Sequence, residues 1–357
     1  MNLEKIIMAI GARSRIGLAS IFSIEKEEEL IMKFWEAGIG YVITKTMMDY
    51  DYRAGEKPKV KRKWEDDEKT LYHTGTTCSE SPDFYHKHGV IGRVLNGFIS
   101  EGVAVIPSIG SKNIDADAWV NMQRYLPDQH TPIIEINFRY TYRSLVQKYK
   151  NEILGNKLVN CDEYLNDYLN SIPNLNEAEK RYIKNRANSD FKVLFSAIRD
   201  IFPPDRYCLI AKLWPSPELE THLGYTSEKY FDSVTLVNSI KAEPPVPFKK
   251  IPKEKIPQMS GLRLREYRDY ALRTAMRMNY LLPIFASGGV AVEAKDSLKG
   301  SVEDGIRDIA NCFALGADYV QLGVVAYGGG PKAVAAVMKA LGARYRLDTS
   351  QGLVKAA

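Results

Sequence analysis

Eight short apolar runs, each ending in small or polar residues and most followed by a stretch of helical period, limit what this chain can fold into. They are Arg15–Ser20 (RIGLAS), Gly40–Thr46 (GYVITKT), Val103–Ser108 (VAVIPS), Pro132–Asn137 (PIIEIN), Tyr207–Leu213 (YCLIAKL), Ser233–Ser239 (SVTLVNS), Leu282–Gly288 (LPIFASG) and Tyr319–Gly323 (YVQLG). Strands this continuously apolar suit a parallel sheet covered on both faces, and alternation with helices makes βα units. Glu25–Ala37 sets Leu30, Ile31, Phe34 and Trp35 on one stripe with Gly38 as its stop, and Val302–Leu315 does the same with Ile306, Ile309, Ala310 and Phe313 before Gly316. Eight such units predict an α/β fold, a closed (β/α)8 TIM barrel. A doubly wound open sheet is the alternative, but Ala19, Ser20, Ile21 and Phe22 do not supply the G-x-G-x-x-G turn that often follows its first strand.

The length of 357 residues fits one such barrel with insertions, and 45% hydrophobic with 26% charged residues excludes disordered, collagen-like and coiled-coil chains. Lys and Arg number 49 against 44 Asp and Glu, a net charge of +5 too small to point to nucleic acid. The one dense basic run, Lys57 to Lys63, is followed by Glu65, Asp66, Asp67 and Glu68 and reads as a solvated loop. Cys78, Cys161, Cys208 and Cys312 lie far apart, so neither a metal cage nor a disulfide framework is expected; Cys208 and Cys312 read as buried thiols. Neither a secretory signal nor a membrane span is legible, and the expectation is a cytoplasmic protein.

Two stretches exceed what a barrel needs. Met48 to about Lys87 is charged and rich in Tyr, Thr and Ser with little periodicity, and Arg143 to about Asn188 is polar and partly helical over Glu177–Lys184. Both follow a strand's carboxyl end, so they read as lid or partner surface on a single barrel spanning residues 1–357; plain surface loops are the alternative.

Polar residues gather at the ends of the expected strands, where barrel enzymes keep their chemistry. They are Ala19 and Ser20, Lys45 and Thr46, Asn137, Lys212, Asn238 and Ser239, Ser287 with Gly288 and Gly289, and Gly323. Two ammonium groups favour an anion or a ring that becomes anionic, and the asparagines suit a flat heterocycle with alternating carbonyl and N–H groups. Gly288-Gly289, Gly323 and the run Gly328, Gly329, Gly330, Pro331 leading into Lys332–Leu341 look like a phosphate cradle, with simple turn geometry as the other reading.

In order along the chain, RIGLAS, VITKT, Asn96-Gly97, EIN, IAKLWP, LVNS, QMSGLRLR, FASGGV and GADYVQLG resemble the dihydroorotate dehydrogenase family of FMN-dependent barrels. The resemblance implies hydride transfer between a small planar or cyclic, pyrimidine-like substrate and flavin N5, in pyrimidine-type metabolism, by a protein that is often a homodimer. It implies that Ala19, Ser20 and Thr46 line the isoalloxazine, that Ser260, Gly261, Gly288, Gly289, Gly323 and Val324 help hold the cofactor, and that Lys212 sits by the ring edge where reduced flavin gathers negative charge. Lys45 would lie between flavin and substrate, while Asn96, Asn137, Asn238 and Ser239 grip the substrate.

The chain departs from the family after Asn137, where it reads Phe138, Arg139, Tyr140, Thr141, Tyr142. Tyr140 occupies the place at which the cytosolic branch keeps its cysteine base, and Tyr142 that of an expected asparagine. A tyrosine with an ordinary pKa near 10 is a poor base at neutral pH unless a cation such as Arg139 or Lys45 lowers it. Three readings stand open: Tyr140 as acid or base on an altered substrate, a base from the inserted loop (His73, Cys78, His86 or His88), or loss of the ordinary dehydrogenation. The first strand begins near Arg15 without the membrane-associating helices of the quinone-using branch, and no Cys-rich segment marks an iron–sulfur partner, so a soluble acceptor or separate reductase is expected. The rival readings are a flavin barrel acting on RNA, similar to dihydrouridine synthases, and a flavin- or phosphate-binding scaffold without turnover.

Overall fold

A computed structural model describes residues 12, 14–20, 24–48, 62–65, 70–73, 96–111, 113–126, 133–154, 175–227, 229–238, 240–241, 258–261, 264–290, 298–348 and 352–355. All eight expected runs contain strands, and these form one parallel barrel: β1 (Ile16–Leu18), β2 (Val42–Ile43) continued by β3 (Met47–Met48), β6 (Val105–Ile106) continued by β7 (Ser108–Gly110), β8 (Ile133–Asn137), β9 (Cys208–Lys212), β10 (Ser233–Leu236), β13 (Ile284–Ser287) and β14 (Tyr319–Leu322). The hydrogen-bonded order is β3-β7-β8-β9-β10-β13-β14-β1-β2-β6. Because β2 and β3 are two pieces of one strand, and β6 and β7 of the next, that order comes back on itself as eight strands in a nearly closed ring. Both breaks have local causes. Pro107 has no N–H to give to a ladder, and the Ser108 N–H donates to the Thr44 hydroxyl at 2.9 Å instead of to backbone.

The barrel interior is filled in tiers. Thr235 pairs with Phe285 and Phe285 with Tyr319, so these three side chains point to the same side of the sheet. The Phe285 and Tyr319 rings stack at 4.4 Å, and Tyr41 meets both edge-on at 5.6 and 6.2 Å. Gly17 makes this possible, because a Cβ there would lie 2.3 Å from the Tyr41 ring. Polar residues take over toward the strands' carboxyl ends.

Helices cover the outside: α1 (Ile24–Glu36), α2 (Ala116–Tyr125), α3 (Arg139–Leu154), α4 (Glu177–Ile201), α5 (Leu219–Thr226), α6 (Arg265–Arg277), α7 (Leu298–Ala314) and α8 (Val324–Arg344). Phe138 sits between strand and helices, 5.3 Å from Phe191, 4.7 Å from Phe195 and 5.4 Å from Phe231. The glycine stops are where the sequence places them, Gly38 with φ 99° and Gly316 with φ 86°. Among the described residues, no helix is long and apolar enough to cross a membrane.

Two expectations change. The stretch from Met48 is not simply irregular: β4 (Arg62–Glu65), the end of the basic run, and β5 (Thr70–His73) form an antiparallel hairpin. That hairpin joins β11 (Ile240–Lys241) and β12 (Gln258–Gly261) in a four-stranded sheet of order β11-β12-β5-β4. Residues 143–154 belong to α3, and the helix expected over Glu177–Lys184 runs on to Ile201 as α4, because Leu145, Val146 and Tyr149 on one helix and Ile183, Ala187 and Phe191 on the other recur at helical spacing and are buried. The helix expected over Lys332–Leu341 is present within residues 331–344; a short helical stretch from Val324 precedes it, and non-helical Gly330 (φ 66°, ψ -174°) separates the two parts of α8. A hairpin of β15 (Tyr345–Asp348) and β16 (Gly352–Lys355) follows.

Candidate active site

The site is built from Glu135 outward. This carboxylate lies in β8 between Ile134 and Ile136 and is fully buried. Its Oε1 accepts from Lys212 Nζ at 3.0 Å and from the Ser108 hydroxyl at 2.9 Å, and its Oε2 accepts from the Thr235 hydroxyl at 2.9 Å. Lys212, at the end of β9, also donates to the Ser20 hydroxyl at 2.6 Å. Since β1 and β9 lie far apart around the ring, that contact spans the barrel mouth.

A second chain of bonds runs along the rim. Asn238 Nδ2 donates to Asn137 Oδ1 at 2.9 Å, and Asn137 Nδ2 donates to the Thr46 hydroxyl at 3.1 Å. The hydroxyls of Thr46 and Ser108 are 3.0 Å apart. Ser108 spends its proton on Glu135, so Thr46 is the donor between them. The donors therefore run from Asn238 through Asn137, Thr46 and Ser108 and end on the carboxylate. Each buried polar group here has a partner, as burial requires. One exception is Gln321: its Nε2 donates to Thr235 at 3.3 Å, while its buried Oε1 has no partner among the described residues.

The expected residues are placed as follows. Ser20, Thr46, Asn137, Lys212 and Asn238 meet in one network, with Ala19 and Lys45 buried beside them at the ends of their strands. Gly288 (φ 88°) and Gly289 (φ 71°) make the turn after β13, and Gly323 follows β14 directly before α8 begins. The two turns are neighbours, since Ser287 pairs with Gln321. A Cβ on Gly289 would come within 2.5 Å of the Arg265 backbone, and the buried Arg268 guanidinium donates to the Gly288 carbonyl at 3.1 Å. Val324 opens α8, Ser260 and Gly261 end β12 in the small sheet, and Asn96 stands exposed at the start of a helical segment over 96–100, outside the network. Ser239, Cys78, Cys161, His86 and His88 lie outside the described residues; His73 pairs through its backbone in β5.

The asparagines differ from their expected use. They bond first to each other, so part of their capacity is already spent. Lys212 likewise is not a bare cation but half of an ion pair. Glu135, Ser108, Thr235 and Gln321 are absent from the sequence-based set, although an acid inside an apolar strand is itself a signal, because a buried charge demands a partner.

The divergent segment after Asn137 is no loop. Arg139 begins α3, its N–H bonded to Asn137 Oδ1 at 3.3 Å, and Thr141 donates to the Ser111 carbonyl at 2.6 Å. Tyr140 is 7% exposed on the first turn. Tyr142 turns away into an aromatic cluster with Phe191, Trp214 and His222, its hydroxyl donating to Asn188 Oδ1 at 2.8 Å. Burial first, and then the Glu218 charge, push its pKa up, so this phenol is no base. Cys208 and Cys312 are buried as expected, and burial raises both thiols, that of Cys312 to about 12.

No family model and no curated protein matches the sequence. Among solved structures, the fold is similar to the crystal structure of DHODH, a dihydroorotate dehydrogenase, from Eimeria tenella in complex with ferulenol. The TM-score is 0.60 at 15% sequence identity, over 92% of this chain and 81% of that one. The chain thus shares the fold of that structure, a nearly closed α/β barrel, and carries a buried acid–lysine pair at its mouth.

Proposed function

We propose that this protein is an FMN-dependent oxidoreductase acting on a CH–CH bond of a small planar or cyclic, pyrimidine-like substrate. The observation that carries this reading is Lys212, whose ammonium is held at the barrel mouth between Glu135 and Ser20, on the same face as the adjoining Gly288–Gly289 and Gly323 turns. The residues present fit the cofactor. Two consecutive left-handed glycines beside a helix start offer backbone N–H groups to a phosphate. The small Ala19 and Ser20 side chains suit a flat ring, and the buried Gln321 Oε1, without a partner among the described residues, supplies an acceptor.

FMN, when bound, supplies a two-electron acceptor for hydride. Lys212 would place positive charge and an N–H donor where the ring gathers electrons, a preorganised electrostatic contribution. Lys45, Asn137 and Asn238 would orient the substrate on the open side, and Tyr140, on the first turn of α3, is the phenol nearest in sequence to that rim. A soluble electron acceptor or a separate reductase, and a homodimeric assembly, belong to the same proposal.

The reading is tested on the purified protein by its visible spectrum after incubation with FMN. Two flavin bands that survive gel filtration and are released on denaturation are expected; a protein that stays colourless refutes it. Anaerobic bleaching across a panel with dihydroorotate, dihydrouracil and related cyclic compounds then identifies the substrate. One observation favours a second reading, in which flavin is bound without turnover: Tyr142 is committed to a structural bond at the place where the family keeps an asparagine. A yellow protein bleached by dithionite but by none of the panel would support it.

A further inference from the structure

We propose that Glu135 is the counter-ion of Lys212 and thereby sets the charge that a bound flavin meets; this rests on the flavin reading above. The pair is 3.0 Å apart, with side-chain exposures of 5% for Lys212 and 0% for Glu135. Water therefore screens the interaction little, and a buried charge here persists only because it is matched. The surroundings of Glu135 suit an anion. Ser108 and Thr235 both give their hydroxyl protons to Glu135, and each is itself fed, by Thr46 and by the Gln321 amide. Among the described residues, each side chain bonded to the carboxylate is one that can donate to it.

Geometry also separates the two ends of the pair. Glu135 stands two residues deeper in β8 than Asn137, and Asn137 is level with Lys212 in β9. The carboxylate thus lies below the ammonium, which reaches on to Ser20. Glu135 acts through Lys212: it is a positioning residue that aims the ammonium and cancels most of its field. A flavin above would meet the positive end of a dipole rather than an isolated cation.

The test is the two-electron midpoint of the FMN complex, measured against a reference dye at mildly acidic pH, in wild type and Glu135→Gln. Glutamine keeps the shape and an acceptor but removes the charge. The expected result is a shift of the reduced-to-oxidised ratio toward reduced flavin by about tenfold or more, about 30 mV for a two-electron couple. An unchanged or lower midpoint in folded E135Q overturns the proposal. If E135Q does not fold, the double variant E135Q/K212M, which buries no charge, replaces it. Its midpoint is expected within about threefold of wild type, and a fall of tenfold or more would show Lys212 acting as a bare cation and overturn the proposal. The pairing itself is read without flavin from melting temperatures. The double variant should melt above K212M, whereas additive losses overturn the ion pair. Wild-type protein that takes up no FMN refutes the functional reading instead, and the melting cycle then judges the pair alone.

Discussion

His222 shows how a single buried residue gives the molecule a pH limit. Its Nε2 lies 3.2 Å from Asn188 Oδ1, an oxygen that also accepts from Tyr142. That oxygen can only accept, so the ring carries its proton on Nε2, and Nδ1 has no partner among the described residues. Burial first, and the charge of Lys184 second, lower its pKa from 6.5 to about 3. The unfolded chain then takes up the proton before the folded one does. This part of the stability is complete above about pH 6.5 and is lost as pH falls toward 3, by about 1.4 kcal/mol per unit. Urea unfolding at a series of pH values should show that slope in wild type and a flatter one in His222→Gln. At the mouth, Lys212→Ala should slow flavin reduction by more than about tenfold while changing FMN affinity far less, since the charge acts on the transition state. Equal losses in stopped-flow reduction and in titration would reduce Lys212 to a cofactor anchor. Tyr140→Phe should abolish reduction by the true substrate if its hydroxyl moves the proton, and an unchanged rate removes that role. Position along the strands made Lys212 legible as a site residue, but its salt bridge depends on a side chain from another strand.

Elements differ in how locally they are specified. Helix α4 starts with a capping box in which Asn176 accepts from the Glu179 N–H at 3.0 Å and Glu179 accepts from the Asn176 N–H at 2.8 Å. Asn176→Ala should therefore cost about 1 kcal/mol, measurable by chemical denaturation. The β13–α6 junction is tighter. Gly289→Ala would set a Cβ 2.5 Å from the Arg265 backbone at a φ of 71°, and a loss of roughly 1–3 kcal/mol is expected. If the turn holds the FMN phosphate as proposed, FMN affinity in that variant should fall much more than riboflavin affinity; parallel losses would place the phosphate elsewhere. Helices such as α1 and α7 were legible because their stripes and glycine stops lie within one segment. The β4–β5 hairpin was not, because four-residue strands are too short to show a period and their partner β12 comes from a distant part of the chain.

At the scale of the whole molecule, the barrel gathers strand ends from residue 20 to residue 322 into one mouth, so a ligand there should stabilise the entire fold. FMN at about a hundred times its dissociation constant adds about 2.7 kcal/mol if it binds only the native state. Thermal melts with and without FMN should show the corresponding rise, and an unmoved transition at saturation would contradict a site made from all the strands. The sequence alone determined the eight βα units and the residues at the strand ends, because apolar period and turn chemistry are local properties of consecutive residues. Only the tertiary structure decided that Glu135 faces inward onto Lys212, that Asn137 and Asn238 bond each other, and that Tyr142 turns into the aromatic cluster. These outcomes depend on the register between strands and on helices packed from remote segments, and no stretch of consecutive residues carries that information.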